Sequence, residues 1–461
     1  MSTKQPSTLP LRLLLGVGFV AAVVAILAVL FAHSEPRLGG YVRVDATSRL
    51  FLFVLNPIFF GISVYVWSRL STTPALRPSA KRFAALAIAF LGSANALLVA
   101  NHLLLLWVAL EATTLFAAPL IVRKGSRASV QASFRYLLFS SVGLGIAMVG
   151  FLCLVRGMKA EGLGATLFLD RLVQQVRGEP NVWQTLGLAL VLLGLGTKLG
   201  LAPMYSWLPE VYDEAPPAVT AMLGAIQFNC TLVVLLRVLQ TFRPSHDSFL
   251  ASELLTMGIL SMVVSTFNII ATRNFKRLLA YASINHAGVI AIGLGIGKSA
   301  SYGLLLYVIS NAVIKAILFL TAGKIEAHYR MKDTQKISGL LRDLPYSGSL
   351  LMVGTFALLG FPPFASFFGE LLILSALVGS GNMMVFAAFC VLITMSFVAT
   401  GRTIFPMIWG EPKEQHDWPR QTFWATSPKF ALLAALVVLG IYVPPFANDL
   451  IQQVAASLVE R

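Results

Sequence analysis

Long apolar runs separated by short, basic polar stretches make up most of the chain. Runs of about twenty apolar residues are long enough to cross the hydrocarbon core of a bilayer as α-helices. The pattern therefore predicts an all-α polytopic membrane protein with about 13 transmembrane helices. The predicted spans are 11–32, 45–67, 83–100, 101–122, 131–156, 183–206, 216–240, 251–271, 277–297, 301–322, 346–378, 383–406 and 427–447.

Two of these spans contain prolines beside ionisable residues. The segment GTKLGLAP places Lys198 ahead of Pro203, and the segment LLGFPPFASFFGELL places Pro362 and Pro363 ahead of Glu370. Proline lacks an N–H group and clashes with the preceding turn of a helix, so both spans should be discontinuous. Broken helices that carry charge in the membrane are typical of transporters.

The two interrupted spans predict an internal repeat. They lie five spans apart, and an odd offset gives the two units opposite orientations across the membrane. The predicted organisation is N-terminal transmembrane helices over 1–82, a first repeat over 83–240, a second, inverted repeat over 251–406, and a C-terminal helix over 427–461.

The composition excludes a separate soluble domain, and the distribution of the basic residues predicts the topology. The chain is 57% hydrophobic and 12% charged, with a mean hydropathy of +0.78. Its net charge of +15 comes from basic residues that cluster in alternate short loops, all on one side of the membrane, which indicates contact with lipid and not with nucleic acid. By the positive-inside rule the N-terminus is cytoplasmic, and compact loops fit a bacterial inner (plasma) membrane.

Glu111 and Lys198 are the first two ionisable residues predicted inside the membrane. Burying either charge in the membrane costs about 3 kcal/mol unless other groups of the protein stabilise it. At about 6 Å and an effective dielectric constant near 20, opposite unit charges interact by roughly 3 kcal/mol. The two residues are therefore interpreted as an electrostatic couple that loads and unloads the lysine. The alternative is that Glu111 is a structural carboxylate bonded to a neighbouring helix.

Further ionisable residues extend this set along the membrane plane. His286 lies in AYASINHAGVI, Lys315 in NAVIKAILFL, and Glu370 follows the second break. Histidine titrates near neutrality, so the set suits a proton relay. His286 alone is equally well explained as a hydrogen-bonded core residue.

Charged residues near span ends have other interpretations. Glu210, Asp213 and Glu214 follow the first break, where they form a candidate proton entrance or a cap for the next helix. Arg237 and Arg273 are expected to snorkel to the interface or to contact lipid phosphate.

Several motifs resemble one family. They are TKLGLAPMYSWLPEVYDEAPPAVTAMLGAIQFNCTLVVLLR, LLLLWVALEATTLF, NFKRLLAYASINHAGVI, NAVIKAILFLTAG and GFPPFASFFGELLIL. In this order and spacing they resemble the antiporter-like membrane subunits of respiratory complex I (chains L, M and N), Mrp-type cation/proton antiporters and membrane-bound group 4 hydrogenases. The resemblance covers roughly residues 45–405. Glu370 resembles chain M, and the Asn229–Cys230 pair resembles component F of hydrogenase-4.

The resemblance implies a fold, a path and partners. The fold has two inverted five-helix repeats. The path has Glu111 and Lys198 as the input couple, Lys315 and His286 as linking groups, and Glu370 at the exit. The expected partners are other membrane subunits and a peripheral redox or zinc-containing arm, while this chain itself carries no catalytic residue, metal or cofactor.

Four positions depart from the family pattern. Asn229 stands where the family has a lysine, and Tyr205, Tyr212 and Asn311 stand where it has histidines. Asparagine and tyrosine hold water but do not exchange protons near neutral pH. The path between the two lysines therefore depends on water, or this branch pumps less well or not at all.

The prediction is a cofactor-free, proton-translocating subunit of a complex I-like or hydrogenase-like redox complex. The cysteines Cys153, Cys230 and Cys390 lie in separate apolar runs without the spacing of a cluster or zinc site. Three alternatives stay open. They are the proton-supplying membrane subunit of an inorganic carbon uptake system with a soluble zinc partner, an Mrp-type antiporter subunit, and a structural membrane anchor.

Overall fold

The computed structural model describes residues 9–31, 35–72, 80–162, 166–176, 180–242, 249–411 and 423–458. These residues form helices and connecting segments. The helices are α1 Leu9–Phe31, α2 Ala46–Thr72, α3 Ala80–Val99, α4 Leu103–Ile121, α5 Arg127–Ala160, α6 Leu169–Gln175, α7 Val182–Leu199, α8 Trp207–Glu214, α9 Pro217–Ala221, α10 Phe228–Phe242, α11 Phe249–Ala271, α12 Phe275–Ile296, α13 Ser301–Tyr329, α14 Leu340–Asp343, α15 Pro345–Leu358, α16 Ala365–Gly379, α17 Met383–Trp409, α18 Phe423–Ile441 and α19 Pro445–Ser457.

The predicted all-α membrane fold is confirmed. Twelve helical segments of the described chain are long and apolar enough to cross a bilayer. The helices α15 and α16 are the two halves of the remaining predicted span, and each is too short to cross alone. Within the described ranges, the only β-type pairing consists of isolated bridges.

The first interrupted span has a helical stop and restart. Helix α7 ends at Leu199, and Gly200 then adopts a left-handed conformation with φ 76°. A side chain at this glycine is also excluded, because its Cβ would lie 2.5 Å from Leu208 Cδ1. Pro203 lies in the following turn, and α8 begins at Trp207. The predicted discontinuity is confirmed, and it exposes the end of α7 beside Lys198.

The second interruption has the same outline. Helix α15 ends at Leu358, and Gly360 has φ 68°. Pro362 and Pro363 lie in the connecting segment before α16 begins at Ala365. The C-terminal α18 packs closely here, because a Cβ on Gly440 would lie 1.7 Å from the carbonyl oxygen of Pro363.

Helix packing follows the same order in the two halves. In the first half α3 packs on α4 and α5 packs on α7; in the second half α11 packs on α12 and α13 packs on both α15 and α16. This correspondence supports the predicted repeats over 83–240 and 251–406, whose bounds stay a prediction.

Three segments in the centre are enclosed by other helices. The most apolar windows of α9–α10, α12 and α13 are 100%, 94% and 100% buried inside the protein. Polar residues on these helices therefore face protein and not lipid, where a charge is most costly. They carry Asn229, His286 and Lys315.

The interface role expected for Arg237 is wrong. This arginine is 7% exposed, and its guanidinium forms an ion pair with Asp45 and donates to Ser48 Oγ at 2.9 Å. Asp45 also accepts the backbone N–H of Ser48 at 2.9 Å, at the start of α2. A carboxylate inside the protein thus satisfies the guanidinium and joins α10 to α2.

We predict that Asp45→Asn destabilises the protein by about 3 kcal/mol, because it leaves the buried Arg237 without its counter-charge. Burial raises the pKa of Asp45, but the charge and hydrogen bonds of Arg237 and Ser48 bring it down to about 2. The advantage of the natural carboxylate is therefore complete above the unfolded pKa of 3.8 and is lost as the pH falls toward 2.

The measurement is the thermal unfolding midpoint of the detergent-purified protein at several pH values. Asp449→Asn, on the exposed side of α19, is the matched control and should leave the midpoint unchanged. Equal midpoints for Asp45→Asn and the natural protein at neutral pH would contradict the assignment.

Candidate proton-conducting site

Lys198 lies at the end of α7 against α4. Its ammonium is 3% exposed, donates to the carbonyl oxygen of Leu110 at 2.9 Å and also bonds Thr114 Oγ1. A lone backbone carbonyl and a hydroxyl thus solvate the buried charge, which would otherwise be strongly unfavourable in the membrane.

Glu111 follows Leu110 on α4 and does not touch Lys198. Its Oε1 accepts a hydrogen bond from Ser141 Oγ on α5 at 2.7 Å, while its Oε2 is buried without a hydrogen-bond partner among the described residues. In the described ranges no ion pair within 4.0 Å joins Glu111 to Lys198. The two groups therefore share one stretch of α4 without direct neutralisation, and their electrostatic coupling stays a prediction.

A π-helical segment separates α9 from α10 and packs on α13. It spans Met222–Gln227. Lys315 on α13 is 2% exposed, and its Nζ lies 4.0 Å from the ring centroid of Phe228, immediately after the π-helical turn. The aromatic face favours a cation there. Across the described chain, Lys315 Nζ has no hydrogen-bond partner. Single π-helical turns inside α-helices are frequent at functional sites.

Other buried amides surround this part of the protein. Neither side-chain polar atom of Gln227 or Asn311 is hydrogen-bonded within the described ranges, nor is Oδ1 of Asn229, whose Nδ2 donates to Ala225 O at 2.6 Å. An unpaired buried polar group costs about 1–3 kcal/mol. Ordered water usually satisfies such groups. Sequence reasoning singled out Asn229 and Asn311 but missed Gln227, although a glutamine in an apolar run was a signal.

The two tyrosines among the family departures belong to packed surroundings. Tyr212 is buried, and its ring meets that of Phe319 edge to face at 5.0 Å. The Tyr212 hydroxyl also lies against the π-helical segment, because a Cβ built on Gly224 of that segment would be 3.5 Å from it. Tyr205 is half-buried in the turn between α7 and α8.

His286 has a partner that sequence reasoning missed. Its Nδ1 is hydrogen-bonded to the hydroxyl of Tyr307 on α13, the helix that also carries Lys315. Tyr307 lies against α16, where a Cβ on Gly369 would be 2.8 Å from the Tyr307 backbone nitrogen. The structure therefore joins His286 to α13 and packs α13 on α16, the helix that carries Glu370.

Glu370 faces the second interruption. Its Oε2 would lie 2.8 Å from a Cβ on Gly360, the residue with positive φ. The carboxylate is partly buried at the point where the helical hydrogen bonding is broken. Tyr307 had a sequence signal, because Tyr307, Asn311 and Lys315 recur every four residues and so lie along one side of α13.

Lys429 is a further buried ionisable residue that sequence reasoning missed. It lies on α18, is 1% exposed, and its Nζ is 6.0 Å from the ring centroid of Tyr65 on α2. The described residues provide it with no carboxylate partner within 4.0 Å. A lysine in the otherwise apolar run PKFALLAALVVLGI was the available signal.

The candidate entrance is an ion-paired cluster around Asp213. Its carboxylate accepts from Asn274 at 3.1 Å, from Arg277 at 3.0 Å and from Lys332 at 2.7 Å. Burial raises the pKa of Asp213, but the hydrogen bond and charge of Lys332, the hydrogen bond of Asn274 and the charge of Lys276 outweigh it and hold the pKa below its ordinary value. Asp213 is therefore ionised at neutral pH, and this geometry supports a structural role for it. It also lines an open cavity of about 600 Å³.

The other two acidic residues of the candidate entrance lie nearer the surface. Glu210 pairs with Arg135, and Glu214 lies 3.5 Å from Lys332. Neither side chain caps α9, which begins with Pro217. Both stay predicted entrance residues. Deeper in the same cluster, Lys276 Nζ lies 3.1 Å from Glu326.

These features define a class of protein. Two interrupted helices and a row of buried ionisable groups on enclosed helices are what a membrane protein needs to move protons across its midplane. Among the described residues no group of three or more His, Cys, Asp or Glu side chains is arranged to hold a metal ion.

The chain belongs to the NADH:quinone oxidoreductase/Mrp antiporter transmembrane family, which matches residues 100–396. This confirms the resemblance found in the sequence. The chain is 28% identical over 444 residues to a hydrogenase-4 component F homolog from Methylacidiphilum infernorum, covering 94% of this chain and 91% of the relative. It is 27% identical over 360 residues to NADH-quinone oxidoreductase subunit N 2 from Syntrophobacter fumaroxidans, covering 78% and 74%.

The fold is also that of a solved antiporter subunit. A chain of the Mrp complex from a Dietzia species superimposes with a TM-score of 0.85 at 19% sequence identity, covering 98% of this chain and 93% of that chain. At this identity the likeness concerns the fold alone.

We predict that Tyr307→Phe slows proton transfer several-fold, because it removes the hydroxyl that bonds His286 while keeping the aromatic ring and the backbone that lies against Gly369. Loss of one hydrogen bond in a relay costs about 1 kcal/mol, or roughly fivefold in rate. Dye-monitored acidification of membrane vesicles measures it. Tyr346→Phe, an exposed tyrosine on α15, is the control, and an unchanged rate in Tyr307→Phe would remove Tyr307 from the path.

Proposed function

We propose that this chain translocates protons as a membrane subunit of a multi-subunit redox complex of the NADH-quinone oxidoreductase or hydrogenase type. The observation that carries the proposal is the environment of Lys198. Its ammonium is buried at the end of an interrupted helix and is hydrogen-bonded to the same turn of α4 that carries Glu111. Its relatives by sequence are subunits of such complexes by name.

Glu111 and Lys198 form the input couple. The ammonium is bound by a carbonyl and a hydroxyl and not by the carboxylate, so its position relative to Glu111 changes when the end of α7 moves. At about 6 Å the two charges interact by roughly 3 kcal/mol at an effective dielectric near 20. Moving one elementary charge across a membrane potential of about 100 mV takes about 2.3 kcal/mol, which is of the same order as this interaction. Changing the spacing therefore suffices to load or release a proton.

The middle of the path depends on water. Gln227, Asn229 and Asn311 have buried polar atoms without protein partners among the described residues, and they lie on the two helices that meet at Lys315. Amides orient water without taking up its protons. A water chain between Lys198 and Lys315 thus replaces the lysine and histidine that the family has at positions 229 and 311.

The output half is a chain of side chains. Lys315 passes its proton toward His286, whose Nδ1 is bonded to Tyr307, and Tyr307 lies against α16, the helix that carries Glu370 after the second break. The interruption between α15 and α16 provides a polar exit for the proton, which a continuous helix would lack.

Partners and orientation follow from the same proposal. The relatives are subunits of multi-subunit complexes, so this chain assembles with other membrane subunits. We further propose a peripheral redox or zinc-containing arm, and a cytoplasmic N-terminus in a bacterial inner membrane, from the basic loops. Gentle-detergent purification of the tagged chain with mass spectrometry of its partners tests the assembly.

A second candidate is an Mrp-type cation/proton antiporter subunit, because the family that the chain belongs to includes Mrp antiporter subunits by its description. Sodium-dependent proton movement without a redox donor would support this candidate over the first.

We predict that Lys198→Ala and Glu111→Gln each abolish proton movement while leaving the complex assembled. Either change removes one charge of the input couple. Proton uptake is measured in inverted vesicles by dye quenching with NADH or hydrogen as donor, and assembly by the recovered subunits. Lys159→Ala, an exposed lysine at the end of α5, is the control. Normal pumping by either variant would exclude the mechanism.

A further inference from the structure

A groove opens between the ends of α11 and α17, at the membrane face that carries the turn between α11 and α12. Its volume is about 1250 Å³. The segment 334–338 closes one side of it. The lining combines two cations, polar groups and apolar side chains, among them Arg273, Arg402, Thr334, Ser338, Met395 and Val398.

Among the described residues, the two arginines of the groove have no counter-charge. Arg273 and Arg402 are exposed, and neither guanidinium forms an ion pair or hydrogen bond with any residue in the described ranges. The one acidic residue of the described lining, Glu411, pairs with neither of them. By contrast, Arg123 and Arg277 at the same face are paired with Glu326 and Asp213. The described lining of the groove therefore has an excess of positive charge.

The groove continues into apolar surface on the outside of the two helices. Along α11 the side chains of Phe267 and Ile270 are 60% and 54% exposed, and along α17 those of Val391 and Val398 are both 58% exposed. An apolar surface that runs from a cationic groove along the membrane normal suits a molecule with an anionic head and long apolar chains.

We propose that this groove binds one anionic phospholipid, with its phosphate between Arg273 and Arg402 and its acyl chains along α11 and α17. Guanidinium groups bind phosphate oxygens with charge-assisted, often paired hydrogen bonds. A helix of a partner subunit fits less well, because it would have to supply a carboxylate to each arginine to avoid burying an unpaired charge. Free phosphate satisfies the arginines but makes no use of the apolar walls.

The position of the groove gives the lipid a structural consequence. Arg273 directly precedes Asn274, which bonds the carboxylate of Asp213 at the first interruption. A lipid that holds Arg273 therefore braces the turn between α11 and α12 on which this ion-paired cluster depends. This part of the inference is independent of proton transport, because it concerns binding and stability.

The experiment is native mass spectrometry of the full-length protein in its complex, in gentle detergent, titrated with phosphatidylglycerol or phosphatidylcholine. We expect one tightly retained phosphatidylglycerol and no equivalent phosphatidylcholine. Arg273→Gln with Arg402→Gln should weaken retention roughly 30-fold, from the usual contribution of each cation to anionic lipid binding. Arg127→Gln, an exposed arginine at the start of α5, should change it less than about twofold.

Arg402→Lys keeps the charge and should retain the lipid within about threefold, whereas Arg402→Gln alone should weaken binding about fivefold. These two single variants test the proposal if the double variant does not fold. Equal retention of the two lipids, or unchanged retention in Arg402→Gln, would overturn the proposal. Displacement of the lipid by equimolar inorganic phosphate would also overturn it in favour of a phosphate site, and a polypeptide in its place would mean a subunit contact.

Adding phosphatidylglycerol should also raise the thermal unfolding midpoint of the natural protein but not that of the double variant. The lipid stabilises the state that binds it. An equal rise in both would contradict the bracing role of Arg273.

Discussion

The structure depends on the solvation of a buried ammonium by one turn of a neighbouring helix. Lys198 can remain inside the membrane only because Leu110 and Thr114 on α4 supply oxygen atoms to it. Helix α7 stops at Leu199, directly after this contact. The break at Gly200, the turn through Pro203 and the close packing of α7 on α5 all keep the end of α7 in this position.

Charges in this protein fall into two groups that differ in how they are neutralised. Near the membrane faces, Asp45 with Arg237 and Asp213 with Lys332 form direct ion pairs, each between a helix and a connecting segment. Toward the middle, Lys198, Lys315 and Lys429 have no carboxylate within 4.0 Å in the part of the chain that the structure describes. A charge held by a strong partner stays fixed, whereas one held by neutral groups can change its protonation when its surroundings move. The first group is architectural and the second is suited to transport.

The departures from the family pattern become intelligible through the same distinction. Where the resemblance predicts a lysine and a histidine, α10 and α13 have Asn229 and Asn311, and Gln227 adds a third amide from the π-helical turn. The enclosed interior between the two lysines thus has buried amides. In the proposed path, water carries the proton across this interior, while His286 is hydrogen-bonded to Tyr307 in the second half.

Local chemistry determined much of this protein from the sequence alone. The length of the apolar runs set the number of spans, and the prolines at 203, 362 and 363 marked the interruptions, because bilayer thickness and the missing N–H of proline act on short segments. Tertiary structure alone decided which groups touch. It gave Arg237 a carboxylate partner 192 residues away, engaged Asp213 in ion pairs, kept Glu111 out of contact with Lys198 and joined His286 to Tyr307 on α13. Such partners are far apart in sequence, and only the packing of separate helices brings them within the few ångströms over which hydrogen bonds act.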